Sequence, residues 1–375
     1  MIEDESGRMH LVGEPLKKTH LVTGIIVGAL GMENSNGEFS VVDLCFAGLA
    51  PQGEGEGEGD VMEVDADSPE EYIGIISGLD IGPNPSSDAQ IQMMIEYLTG
   101  EGGGSDDQVS ASQISRLIIA GNSLAPIGGS GIDEEAEKER KPRRYGYDYA
   151  SFSPHPMLNL SAHLLDLARS IPIHLLPGTS DPSGTILPQQ PLPRAMFGDA
   201  STYSSFNCET NPTYIRLETG ISESSAPDNE ASSSKRASSS TGSTLTRTIL
   251  ATSGQPMNDM FKYLPTPPAT RLGLSESTLR WRHMAPTAPD TLWCHPFFTV
   301  DPFVMNQTPD IYIIGDQPRF TSKLVKEGNK RCRIVLVPSF AETGMLVLVG
   351  LRTLNAKVVK FSVEKNMTLI GNGTS

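Results

Sequence analysis

Apolar residues in this chain gather into short runs, and six of these share one form: a β-rich stretch closed by glycine, proline or a small polar residue. They lie at 72–76, 116–120, 171–176, 246–251, 311–314 and 333–337. Continuous rather than alternating apolarity over so few residues predicts strands buried on both faces. Two helices are predicted between the early strands. One is capped by Asp88 and places Ile91, Met94, Ile95 and Leu98 on a single face; the other opens at Pro156 and places Leu160, Leu164 and Leu167 likewise. Strand and helix in alternation is an α/β signature. The closing segments, 345–351 and 357–363, flank RTLNA as a hairpin, so antiparallel strands finish a mixed, layered α/β domain. In the first fifty residues, 21–30 and 39–46 flank a Gly/Asn turn at 34–37 and predict a separate hairpin. Two strands alone are marginally stable, so this hairpin must pack elsewhere or belong to a larger barrel.

Other segments lack the means to build a core. Residues 52–71 carry GEGEGEGD and then a further acidic run, the composition of a solvated linker. Residues 218–246 are dominated by serine and read as a disordered insert within a domain. DEEAEKERKPRR at 133–144 reads as a charged surface element, and the chain from 363 to 375 as a tail. The organisation expected is therefore 1–51, a linker at 52–71, a main domain at 72–362 and the tail. A length of 375 residues allows about two to three domains. The net charge of −16 argues against a protein that holds nucleic acid by overall charge. The four cysteines are scattered without a C-x-x-C pair, which removes a zinc ribbon. No apolar stretch approaches the ~20 residues that a membrane span needs, so no membrane role is expected.

Catalytic motifs are scarce. There is no G-x-x-x-x-G-K-[ST] loop, no G-x-G-x-x-G and no G-x-S-x-G elbow, and the S-x-x-K at Ser232–Lys235 falls in the serine-rich insert. What remains is a set of loops following the predicted strands: ISGLDIG (76–82), AGNSLAP (120–126), PGTSDP (177–182), TSGQP (252–256) and IIGDQP (313–318). Their order resembles the calcineurin-like metallophosphoesterases. In active members of that family these loops carry the Asp, Asn and His ligands of two metals flanking an activated water. Here the corresponding positions hold Gly78 and Asp80, Asn122 and Ala125, Thr179 and Ser180, and Asp316 and Pro318, with no histidine among them. The resemblance thus implies the family's layered β-sandwich flanked by helices, with no catalytic residue, no resident metal and no cofactor. Asp80, Asn122, Asp181 and Asp316 leave at most a weak, hydrated Mg2+ or Ca2+ site.

More specific strings sharpen the resemblance: TILPQQPLPRAMF (185–197), TSGQPMNDMF (252–261), RHMAPTAPDTLWCHPF (282–297), DPF (301–303) and TPDIYIIGDQP (308–318). These are similar to the second, or B, subunits of replicative DNA polymerases, most closely the small subunits of the delta class. LVTG and EFSVVDLCFAGLAPQ near the N-terminus resemble part of that family's OB barrel. The resemblance implies a nuclear, non-catalytic scaffold in DNA replication and repair. Its partners would be the Cys-rich C-terminal domain of the polymerase catalytic subunit and a third, clamp-interacting subunit, with the sliding clamp and DNA reached indirectly. Candidate contact or loop-fixing residues are His283, Pro286, Asp290 and Trp293, with Pro188, Gln189 and Gln190 in the rigid LPQQPLP segment. Trp281, Trp293, Phe297 and Phe298 offer anchors for a partner, although aromatics spaced through a loop are more often satellite core. The rival readings are a metal-dependent phosphoesterase with residual activity and a single-strand-DNA-binding OB module.

Overall fold

The computed structural model describes residues 1–53, 70–82, 87–126, 155–219, 245–267 and 269–362. The chain begins with a ribbon of β1 (Ile2–Asp4) and β2 (Gly7–Met9), followed by β3 (Leu11–Val12), the short helix α1 (Pro15–Lys18), β4 (Gly28–Glu33) and β5 (Phe39–Cys45). Next come β6 (Tyr72–Ile76), α2 (Asp88–Thr99), α3 (Ser105–Ser112), β7 (Ile114–Ala120), α4 (His155–Ala168) and β8 (Ile173–Leu176). A 3-10 segment at Arg194–Thr202 leads to β9 (Phe206–Cys208), β10 (Thr213–Thr219) and β11 (Leu245–Thr252). The remainder is α5 (Gln255–Phe261), α6 (Arg271–Trp281), β12 (Ile311–Gln317), β13 (Thr321–Glu327), β14 (Lys330–Pro338), α7 (Phe340–Thr343), β15 (Met345–Gly350) and β16 (Ala356–Lys360).

Two sheets carry the fold. The six-stranded one has the order β16-β15-β6-β7-β8-β9, parallel from β6 to β9 and antiparallel at the β15–β16 end; the five-stranded one has the order β10-β11-β12-β14-β13, with a parallel centre and antiparallel edges. Strand periodicity explains how they stack. Ile73, Ile75, Ile118 and Val347 from the first sheet meet Ile249, Ile311, Ile313 and Val335 from the second in one inter-sheet core. The alternate residues Ile76, Leu117, Ile119 and Leu348 turn outward beneath α2 and α4. On the far side Leu250, Tyr312, Ile314 and Ile334 turn toward α5 and α6. The result is four layers, helix–sheet–sheet–helix, which is why the strands read as continuous apolar runs. Each such side chain contributes about 1.5–3 kcal/mol of burial.

The N-terminal expectation needs correction. The first strand of the hairpin runs over Gly28–Glu33 rather than 21–30, and its partner β5 also pairs in parallel with β3, making a three-stranded sheet. Residues 20–27 instead lie against the layer of α6, where Val22 and Ile25 join its core cluster. Nor does this part stand apart from the sandwich. The Phe46 and Trp281 ring centroids are 6.5 Å apart, Leu49 is fully buried, and the Arg282 guanidinium donates to the carbonyls of Ala47, Gly48 and Leu49. Three further strands of the two main sheets, β9, β10 and β13, escaped the pattern because each forms one edge of its sheet: β9 is only three residues long, and β10 and β13 carry polar residues on their open side.

Several segments read as unstructured fall outside the described residues: the acidic run 54–69, the charged stretch 133–144, most of the serine-rich insert and the tail from 363. Their described ends are hydrogen-bonded. Gln52 bonds Asp310 and the Arg331 backbone, while Glu70 accepts from the backbone N–H groups of Arg352 and Thr353. Thr219 and Leu245 are opposed in the β10–β11 ladder. Glu218, expected within the insert, is therefore a strand residue, and Thr246, where the expected insert and the expected strand meet, belongs to the strand.

Candidate functional site: the strand-end cleft and the 283–303 loop

Parallel strands deliver their C-terminal loops to one rim, where α/β folds place their sites. Here the loops after β6, β7, β8, β11, β12 and β14 meet. They turn sharply: Asp80, Asn122 and Asp316 hold left-handed φ of 48°, 57° and 52°. The approach between loops is close. A Cβ on Gly178 would lie 2.2 Å from the Asn122 amide nitrogen, and one on Gly315 would lie 2.4 Å from the Ala120 carbonyl oxygen.

The polar side chains at this rim bind one another. Ser339 Oγ donates to Asp80 Oδ2 at 3.1 Å, Asn258 Nδ2 to Asp316 Oδ2 at 2.8 Å, and Ser180, through N–H and Oγ–H, to Asn122 Oδ1 at 3.3 Å. Burial raises the pKa of both Asp80 and Asp316, and the hydrogen bonds from Ser339 and Asn258 oppose that rise. Beside them lies a cluster of neutral groups. Asn211, fully buried, directs Nδ2 at Gln189 Oε1 (2.7 Å), Ser253 Oγ (2.6 Å) and Gln255 Oε1 (2.9 Å), while its Oδ1 accepts from Ser253 N–H. Gln255 Nε2 closes the ring on Gln189 Oε1 at 2.9 Å.

The residues present do not fit a two-metal centre. One oxygen each of Asp80, Asn122 and Asp316 already accepts from a neighbouring donor, and the Arg271 guanidinium beside Asp316 adds positive charge there while donating to Asn258 and Gln317. Gly78, Ala125 and Pro318 supply no ligand, Thr179 is exposed, and no group of three or more His, Cys, Asp or Glu side chains converges among the described residues. Asp181 has a different task. It spans two loops, accepting from Leu124 N–H at 2.9 Å and Gly178 N–H at 2.7 Å, and burial pushes its carboxyl up to about 6.

That shift has a sign. Because the folded pKa lies above the unfolded one, folding takes up a proton, so Asp181 favours the folded state more as pH falls from about 6 towards 4. Two pKa units correspond to about 3 kcal/mol at most. Relative to Asp181→Asn, the wild-type chain should therefore gain stability over that window in urea melts at a series of pH values; a constant difference would refute the assignment.

The second region is the loop following α6. His283 donates from Nε2 to Asp301 Oδ2 at 2.9 Å and accepts from Ala285 N–H through Nδ1 at 3.2 Å, which selects the Nε2–H tautomer and clamps the two ends of the loop. Asp290 accepts from Thr23 Oγ1 at 2.5 Å, and the Pro286 backbone packs against Gly24, so both join the N-terminal segment to the loop. Gln189 is buried in the amide ring, whereas Gln190 is exposed and accepts from Ser183 through its backbone carbonyl. Pro188 lies between Leu187 and Gln189, half-buried, next to the bridge in which Leu187 N–H donates to the Trp293 carbonyl and its own carbonyl accepts from His295 N–H. Trp281 is core. Trp293, Phe297 and Phe298 are not: they are 71%, 46% and 95% exposed.

Sequence reasoning missed Asn211, Ser253 and Ser339. Of the three, only Ser253 lies within a quoted loop motif, TSGQP, and nothing local marks any of them as partners, since each contact joins segments distant in sequence.

Comparison with known proteins places these features. A family model for the B subunit of DNA polymerase alpha/epsilon matches residues 73–221 and 240–322, and one described as DNA polymerase delta subunit OB-fold domain matches residues 1–44. The DNA polymerase delta small subunit of Arabidopsis thaliana is 34% identical over 373 residues, covering 98% of this chain and 73% of that protein. Its Saccharomyces cerevisiae counterpart is 33% identical, covering 97% and 70%. DNA polymerase delta subunit 2 of Drosophila melanogaster is 30% identical, covering 97% and 74%. A solved archaeal phosphodiesterase aligns over 77% of this chain and 98% of its own at 9% identity, with a TM-score of 0.33 that is too low to bear on function. With near-complete coverage of the chain by these relatives and a family model matching more than half of it, the chain belongs to the DNA polymerase delta small-subunit family, accessory subunits of a replicative polymerase.

Proposed function

We propose that this chain is a non-catalytic scaffold that joins the C-terminal domain of the delta catalytic subunit to the third subunit, in the nucleus. The observation that carries the reading is the self-satisfied rim: Asp80, Asn122 and Asp316 are occupied by Ser339, Ser180 and Asn258. A site that hydrolyses phosphoesters needs those positions open to metal and water. A scaffold needs them rigid. Partner contact falls to the 283–303 loop, whose His283–Asp301 clamp holds Trp293, Phe297 and Phe298 outward on a fixed frame. Exposed aromatics on a preorganised support are the usual anchors of protein interfaces.

Co-expression with the C-terminal domain of the catalytic subunit, followed by size-exclusion chromatography with light scattering, should yield a 1:1 complex. Trp293→Ala with Phe298→Ala should weaken binding to one of the two partners by about thirtyfold or more, equivalent to a loss of at least ~2 kcal/mol. Unchanged affinity for both partners would remove this loop from the interface. Turnover of a generic phosphodiester with Mn2+, abolished by chelator, would replace the scaffold reading with the enzyme reading.

A further inference from the structure

The β13–β14 hairpin carries a charge opposite to that of the whole chain. Between Arg319 and Arg333 lie Lys323, Lys326, Lys330 and Arg331 against a single acid, Glu327, in a protein of net charge −16. Strand register sorts these residues by face. Lys323 and Lys330 turn to the α6 side, where Lys323 pairs with Glu276 and Lys330 donates to the Leu49 carbonyl; Glu327 turns the same way and accepts from Leu49 N–H. Lys326 and Arg331 are directly opposed on the other face, with Arg333 two residues further along. Arg333 donates to the Leu354 carbonyl. Among the described residues no carboxylate forms an ion pair with Lys326, Arg331 or Arg333, while the nearby Arg247 is matched by Asp310 and Arg352 by Glu70.

Like charges directly opposed across a ladder destabilise it. This pair is nevertheless held in register, because the Gln52 side chain bonds both the N–H and the C=O of Arg331 and fixes that corner of β14. The outcome is a row of cationic side chains rooted on a hydrogen-bonded ribbon, with neighbouring Cβ atoms about 5–8 Å apart, while on the other face Lys323 is paired with Glu276 and Lys330 stands opposite Glu327. Such a row suits a polyanion with regularly repeated charges better than a single carboxylate. Duplex nucleic acid has that repeat, and Lys and Arg side chains neutralise it with release of counterions.

We propose that Lys326, Arg331 and Arg333 form a sequence-independent contact for the phosphate backbone of duplex nucleic acid. This contact is separate from the 283–303 loop and does not depend on the bridging role. Three phosphate contacts make it weak and steeply salt-dependent, which suits a subunit that steadies a polymerase on DNA without fixing its position.

The test is fluorescence anisotropy of a labelled duplex of about 20 base pairs with the full chain, from about 20 to 150 mM salt. Because residues 54–69 carry only acidic charge, a second protein has that segment replaced by Gly-Ser of equal length. Either protein should bind at low salt. Lys326→Glu with Arg331→Glu should lower affinity at least tenfold and reduce the salt slope by about 2. Lys17→Glu with Lys18→Glu makes the same change in net charge on an exposed helix and should lower affinity less than threefold. The proposal is overturned by an absence of duplex binding in both proteins, by equal losses in the two double variants, or by displacement of the duplex by oligoglutamate at equal charge concentration.

Discussion

Asp310→Ala should lower the unfolding free energy by about 3–5 kcal/mol, the largest effect expected of any single substitution outside the hydrophobic core. Asp310 and Arg247 form a buried ion pair at 3.1 Å with side chains 12% and 7% exposed. Arg247 also donates through Nε to the Leu351 carbonyl and through Nη2 to that of Arg352; Asp310 also accepts from Thr248 N–H and from Gln52 Nε2. Four segments are therefore tied at one point below the inter-sheet core: 52, 247–248, 310 and 351–352. Removing the carboxylate leaves a buried guanidinium without a counter-charge and two donors without an acceptor. Urea denaturation measures the loss. The partner experiment is Arg247→Met combined with Asp310→Leu, which removes both charges and should retain more stability than Asp310→Ala alone. If the double variant is the less stable of the two, the cost does not come from the orphaned charge.

Asn211→Asp should be nearly as damaging at neutral pH, although it changes almost no volume. The Nδ2 group of Asn211 lies within hydrogen-bonding distance of three acceptors on Gln189, Ser253 and Gln255. With two hydrogens it cannot satisfy all three at once, so one is shared. A carboxylate there supplies no donor and turns negative charge toward two amide oxygens in a fully buried position. The expected loss is about 3 kcal/mol. The pH dependence identifies the cause. The new carboxyl would have its pKa raised on folding, so its penalty is present in full above the folded pKa and shrinks as pH falls towards the unfolded value of about 4. Tm of the variant relative to wild type should recover on going from about pH 7 to about pH 5. Asn211→Ala, which titrates nothing, should lose a similar amount at every pH. A parallel pH response in the two variants would show that charge is not the reason.

Particular residues show how far local pattern reaches. Ile73, Ile75, Ile118, Ile311 and Ile313 announced doubly buried strands, because a run that is apolar at successive positions must be covered on both faces. Ile91, Met94, Ile95 and Leu98 announced the helix that covers one of them. The rim loops could be found by their glycines and by their place after each strand, and the missing histidines could be counted directly. By contrast, Leu21 to Val27 looks as strand-like as the segment that follows, yet it is drawn to the hydrophobic surface around α6, a surface that no neighbouring residue encodes. Edge strands β10 and β13 were hidden for a related reason: half of their side chains face water, and their pairing depends on strands elsewhere.

Residue order alone establishes the layered α/β class, the positions of the central strands and helices, and the family, since periodicity and motif are properties of neighbours along the chain. What the polar residues do is settled by packing instead. Asn211 meets Gln189 and Gln255, Asp310 meets Arg247, and Lys326 faces Arg331 because strand order and register bring them together. A side chain's partner in a folded protein is set by which segments the packed sheets bring side by side, and that is a property of the whole core.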